Sequence, residues 1–141
     1  MFLKSSRLDL KALDRKLWKL VSDYVRRRDC RRPISNGSGF CGDCITCGKI
    51  WYMEDMDAGH FISRNKKAVR FDFKNINAQC RGCNRFQSGR QFEHAKAIDR
   101  KWGAGTADAL LIKSKQPCKR GRADYLVLIE EMKEKLKKFK A

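Results

Sequence analysis

CITCGK (Cys44–Lys49) and CRGCN (Cys80–Asn84) are two Cys-x2-Cys pairs, and their reading decides the fold. Each pair is a tight turn that can place two sulfurs on one ion. Four thiolates in a tetrahedron suit zinc, which needs no redox chemistry and contributes folding energy. The chain holds 7 cysteines, so a disulfide framework would leave one thiol over. In a reducing compartment such pairs indicate metal rather than disulfides. Cys41 extends the first pair to a C-x2-C-x2-C run, which admits an iron–sulfur cluster, although the usual cysteine runs of such clusters differ. Cys44, Cys47, Cys80 and Cys83 are therefore expected to bind structural Zn2+, with Gly48 free to take a left-handed turn.

The span between the pairs exceeds that of a simple zinc ribbon, and an inserted functional hairpin accounts for the excess. Inside it lies DAGHFI (Asp57–Ile62), which carries one of the chain's 2 histidines, His60. A buried, satisfied core histidine is the plain alternative. Three neighbours argue for chemistry instead. Gly59 allows close approach of a backbone or a phosphate. Asn75 lies shortly before the second pair, and Asn84 follows it directly, where a helix is expected to start. That order resembles the ββα-metal (HNH) nuclease site, which implies that His60 takes a proton from water and that the carbonyl of Asn75 holds the ring in one tautomer. A divalent ion beside Asn84 can neutralise the scissile phosphate and the leaving 3′ oxygen. The helix start would add its own partial positive charge.

Composition points to the same partner. Among 141 residues, 33 lysines and arginines face 16 acids, a formal charge of +17. Such an imbalance repels itself unless it meets a polyanion, so nucleic acid or an acidic membrane surface is expected. No apolar run is long enough for a membrane span, and MFLKSSRLDL lacks a signal-peptide core, so the expected location is cytoplasmic. Arg64, Lys66, Lys67 and Arg70 lie between His60 and Asn75, while Arg81, Arg85 and Arg90 flank the second pair. Backbone phosphate contact is the functional reading of both groups, and ordinary surface charge the bland one. No helix offers base-reading side chains at regular offsets, so DNA shape or branching is the expected target. Trp18, Trp51 and Trp102 read as core rather than as stacking platforms.

Around this centre the chain divides into three expected parts. Residues 1–33 form a basic N-terminal helix, running from about Leu8 with Asp9 as N-cap to RRRDCRR and Pro33. Residues 34–104 form the zinc-bound core, with a helix from about Asn84 to Trp102 stopped by Gly103. Residues 105–141 form a basic helical extension: a short helix capped by Thr106, a linker QPCKRGR, and a last helix from about Ala123 to Lys140. That helix should bury Tyr125, Leu128 or Ile129, Met132, Leu136 and Phe139.

The string CITCGK…W…MDAGHFISR…RFDFKNINAQCRGCNRFQSG, with LDRKLWKLVSDYVRRRD before it, resembles the NinG/Rap family of phage recombination proteins. The resemblance covers roughly residues 8 to 115. It implies an α+β fold, a zinc-stabilised ββα-metal (HNH) core with flanking helices. It also implies a structure-specific DNA endonuclease acting on Holliday junctions or D-loops with Mg2+ or Mn2+. Matched by position, His60 is the general base, Asn75 the middle asparagine and Asn84 a metal ligand. The motif is also similar to that of phage endonuclease VII, where an acidic ligand directly precedes the histidine. Here that position is Gly59, and Asp57 is the nearest carboxylate. On a straight strand Asp57 and His60 point to opposite faces, so Asp57 needs a bulge at Gly59 to reach the same ion. Ser88, Gln91 and His94 would follow Asn84 along one helix face, with His94 a further candidate ligand. Two rival functions stand beside the endonuclease: a non-catalytic zinc-stabilised DNA-binding module with a decayed metal site, and a general HNH nicking nuclease. A homodimer would suit symmetric cutting of a junction.

Overall fold

The structure is a computed structural model that describes residues 2–139, with side chains described from Asp9 to Phe139. The elements run α1 (Phe2–Asp29), β1 (Arg32–Pro33), β2 (Phe40–Asp43), β3 (Ile50–Tyr52), β4 (Met56–His60), β5 (Ile76–Cys80), α2 (Gln91–Trp102), α3 (Thr106–Ser114) and α4 (Arg122–Lys137). The fold is therefore mixed α and β. Its contacts divide it into two compact units: residues 25–117, called the zinc unit after the four cysteines in it that could hold zinc, and a helical unit of residues 1–24 with 118–141. These divisions differ from the expected ones at 33/34 and 104/105. The physical reason at the second boundary is α3, whose Ala107 and Leu110 share a buried cluster with Val69 and Ile98 of the zinc unit.

In the helical unit, α1 buries Leu17 and Val21, and α4 buries Tyr125, Ile129, Met132 and Leu136 at helical spacing. The Tyr125 hydroxyl donates to Asp14 Oδ2 at 2.9 Å. Asp9 does not cap α1, which begins earlier; its carboxylate meets Arg122 at 3.3 Å on the surface. Lys140, the expected end of the last helix, lies outside the described residues.

In the zinc unit, β1, β2 and β3 form one antiparallel sheet, and β4 and β5 form another. The β4–β5 ladder runs without interruption from Met56↔Cys80 to His60↔Ile76. Strand alternation puts Asp57, Gly59, Asn77 and Gln79 on one face, and Met56, Ala58, His60, Ile76, Ala78 and Cys80 on the other. Every residue of β5 is buried, so both faces are covered. Met56, Ala78 and Cys80 pack with Cys30, Cys44 and Cys83. On the opposite face, α2 reaches Asn77, whose Oδ1 accepts Lys101 Nζ at 2.8 Å and Trp102 Nε1 at 3.2 Å.

A buried ion network ties the last turn of α1 to this sheet. The Asp29 carboxylate accepts Arg28 Nε at 2.8 Å, Lys101 Nζ at 2.8 Å and the Ala78 amide at 2.9 Å. Burial opposes its charge, but Arg28 and Lys101 more than offset that and hold its pKa below the ordinary carboxylate value. Removing one partner would leave buried charges uncompensated. Asp29→Ala should therefore cost about 3–5 kcal/mol of the zinc unit's stability, read by urea unfolding at neutral pH. Because the folded pKa is depressed, this contribution is complete above the unfolded pKa and fades as pH falls through the folded one. The variant should lose that part of the acid dependence.

The helix expected from Asn84 to Trp102 is two pieces. Gly82–Phe86 form a short π-helical turn, and α2 starts only at Gln91. Ser88, Gly89 and Arg90 intervene with φ of 51°, 75° and 49°, a left-handed run no helix can contain. Asn84 thus opens no α-helix, and Ser88 and Gln91 do not continue its face. Thr106 is the first residue of α3 rather than its cap; Gly105 precedes it, and the Thr106 hydroxyl donates to the Gly103 carbonyl.

Candidate functional site

The four cysteines expected to bind metal come together. The sulfurs of Cys44, Cys47, Cys80 and Cys83 all lie within 4.8 Å of one another, so they could hold a zinc ion. The geometry follows from local turns. Gly48, with φ of 74°, closes the first pair, and its amide donates to the Cys44 carbonyl. The Cys44 sulfur accepts the Cys80 amide at 3.3 Å. Burial disfavours the Cys44 thiolate, but amides of Cys47, Cys80 and Thr46 and the Thr46 hydroxyl outweigh that and bring its pKa down to about 6. Burial pushes the Cys80 thiol up to about 12. One sulfur is thus a ready thiolate, and a metal would have to displace the proton from another. Cys41 is buried outside the quartet, opposite Tyr52 in the β2–β3 ladder.

His60 closes β4, and its Nε2 meets the Arg70 carbonyl at 2.8 Å. A carbonyl can only accept, so Nε2 carries the proton and Nδ1 is the basic nitrogen of the neutral ring. Burial lowers the His60 pKa, and the charges of Arg70 and Arg64 lower it further, against the hydrogen bond to Arg70 that raises it. The carbonyl that holds the ring in one tautomer was expected from Asn75. Asn75 instead pins the loop: its Oδ1 accepts the Ile62 amide at 2.8 Å, and its Nδ2 donates to the carbonyls of Ile62 and Val69. It positions the loop that delivers the Arg70 carbonyl.

Asp57 does not share the His60 face. The register contains no bulge, so the two side chains alternate as on any straight strand. Their Cα atoms are separated by about 10 Å at ordinary strand rise. Asp57 instead takes a bidentate bond from Arg85, both distances 2.8 Å, and a 2.9 Å bond from Asn84 Nδ2. Burial raises the Asp57 pKa and these donors lower it by more, leaving it below normal. Asn84 and Asp57 are therefore brought together, and neither is shown beside the imidazole.

The space beside Gly59 is filled from the neighbouring strand. A β-carbon at position 59 would overlap Gln79 Oε1 and approach its Cβ to 3.0 Å. Gln79 cannot swing clear, because its Nε2 donates to Thr46 Oγ1 at 3.2 Å and to the Gly89 carbonyl at 3.0 Å. Gly59→Ala should thus cost about 1–3 kcal/mol by overpacking, read by chemical unfolding of the zinc-loaded chain. His94, on α2, is wholly buried with its ring edge-on to Phe61 at 5.4 Å. Gln79 escaped the sequence reading. The cue was a glutamine in the six-residue stretch Asn75–Cys80, otherwise read only for Asn75 and Cys80.

The model of one protein family, described as bacteriophage lambda NinG protein, matches residues 4–141. The chain belongs to the NinG family. It is 26% identical over 121 residues to protein ninG of Salmonella phage P22, an alignment covering 81% of this chain and 54% of that relative. The chain therefore spans about half the length of that NinG relative. No solved structure matches. The NinG match takes in both cysteine pairs, His60 and all of α2.

On this NinG scaffold the basic residues fall into two classes. Arg64, Lys66 and Lys67 are exposed on the loop after His60. The three arginines around the second cysteine pair are instead engaged by the fold. Arg81 donates to the Glu54 carbonyl, Arg85 to Asp57, and Arg90 to Glu93 and weakly toward the Cys83 sulfur. No helix among the described residues is long and apolar enough to cross a membrane.

Proposed function

We propose that this chain is a metal-dependent endonuclease that cuts branched DNA, such as Holliday junctions or D-loops, in recombination. The observation carrying the reading is the His60 imidazole, fixed by the Arg70 carbonyl with Nδ1 as its basic nitrogen at the end of a strand whose partner enters the cysteine clip. Such a ring can take a proton from an attacking water at neutral pH. Asn75 supports it by fixing the loop that carries Arg70. Arg64, Lys66 and Lys67, exposed on the loop that follows His60, supply phosphate contacts with no base code, which suits recognition of DNA form over sequence. The formal charge of +17 points to the same polyanion. When bound, Mg2+ or Mn2+ supplies charge to the scissile phosphate and to the leaving 3′ oxygen. The resemblance to DNA-structure-specific endonucleases adds weight, and a second copy of the chain would give two equivalent cuts.

The test is cleavage of a four-way junction, a flap, single strands and linear duplex by the zinc-loaded protein with Mg2+ or Mn2+. Junction nicking well above duplex nicking is expected. Equal cutting of linear duplex would favour a general nicking nuclease. Tight, salt-sensitive binding with no cleavage in any divalent metal would leave a DNA-binding module, the outcome that Gly59 and the Arg85 clamp on Asp57 would then explain.

A further inference from the structure

Three buried polar atoms in the zinc unit have no hydrogen-bonding partner: Gln79 Oε1, His94 Nδ1 and His94 Nε2. Both residues are 0% exposed. Leaving such groups unmatched costs about 1–3 kcal/mol each, so native structures rarely tolerate three on two side chains. The orientation of the glutamine is not arbitrary. Its amide nitrogen is spent on Thr46 Oγ1 and the Gly89 carbonyl, and a flipped amide would set oxygen against that carbonyl. Oε1 therefore stays in the place that a side chain at position 59 would take. The same Gly89 carbonyl approaches the His94 ring, but it falls short of hydrogen-bond geometry with either nitrogen.

We infer that Gln79 Oε1 and one ring nitrogen of His94 bind a divalent cation at Gly59, the residue preceding His60. A missing side chain on β4 is thereby replaced by one from β5. An acid at position 59 could not coexist with Gln79, because its β-carbon would overlap the amide oxygen. One carboxamide oxygen and one imidazole nitrogen make a mixed oxygen–nitrogen set, which accepts Mn2+ and related ions and leaves other coordination positions for water. Assigning this ion to phosphodiester cleavage rests on the endonuclease reading; its binding does not. Asp57, paired with Arg85 on its own part of the strand, is not needed.

The experiment titrates Mn2+ into the zinc-loaded full chain without DNA and follows it by electron paramagnetic resonance. One Mn2+ per chain beyond the zinc is expected, with nitrogen hyperfine coupling from an imidazole. His94→Gln and Gln79→Met should each weaken binding by about 100-fold, while Asp57→Asn should bind as the parent does. Zinc content and circular dichroism report whether each variant folds. Should both fail to fold, nitrogen coupling that survives in a folded His60→Ala chain still decides, because His94 is then the one imidazole left. Absence of bound Mn2+, absence of nitrogen coupling, or a folded Gln79→Met that binds normally would each overturn the inference. Junction cleavage without imidazole-bound Mn2+ would sink the cation site alone. Imidazole-bound Mn2+ without cleavage of any DNA would sink the endonuclease reading alone.

Discussion

Stripping the metal from the cysteine clip, or replacing Cys80 by serine, should unfold the zinc unit rather than merely weaken it. Structural zinc contributes about 10–16 kcal/mol in small domains at neutral pH, as large as the whole stability of an ordinary domain, about 5–15 kcal/mol. The clip joins segments far apart in sequence, since Cys47 and Cys80 sulfurs lie 4.0 Å apart across the insert that carries His60. Its surroundings are mostly cysteines: Cys30, Cys44, Cys80 and Cys83 pack with Met56 and Ala78, and Met53 packs against them, so the apolar cluster behind the clip is small. Circular dichroism and zinc stoichiometry should fall together on chelation and recover on adding Zn2+. Acid should act as the chelator does. The Cys80 thiol, pushed up to about 12 by burial, and the Cys47 thiol, also raised by burial, must give up protons to bind metal. Zinc retention should therefore decline as pH falls. A chain that keeps its spectrum in strong chelator would show that this unit folds without metal.

Spacing and residue type made the clip legible, because four sulfurs on two tight turns have few other uses. His60 was legible as a rare titratable residue between them. What escaped was cooperative. The helix expected to begin at Asn84 is interrupted because Gly89 bonds to Gln79 and Cys83, two residues set by the β5 pairing and the cysteine turn rather than by local propensity. Asp57 failed as a companion to His60 for a related reason. A bulge at Gly59 was the route open to it, yet the glycine's freedom is used to admit the Gln79 side chain while the ladder stays regular. The role of Asn75 was misread in detail, since a sequence names a carboxamide without naming its partners.

His60→Ala should lower the rate of junction cleavage by about 10²–10⁴-fold while leaving zinc content and junction affinity unchanged. The separation of these readouts follows from geometry. The ring donates to the Arg70 carbonyl and takes no part in the cysteine clip, so its loss removes a base without opening the hairpin. Its pH profile carries a second, independent signature. Burial first, and then the charges of Arg70 and Arg64, hold the His60 pKa below the ordinary histidine value. A general base works in its neutral form, so the acid limb of the rate should inflect below about pH 6.5 and the rate should be flat on that limb near neutrality. Arg64→Ala removes one of the charges that disfavour the imidazolium, so it should move the inflection to higher pH. A merely structural histidine would give no such shift. Unaltered cleavage by a zinc-loaded His60→Ala chain would show that the proton is taken by another group.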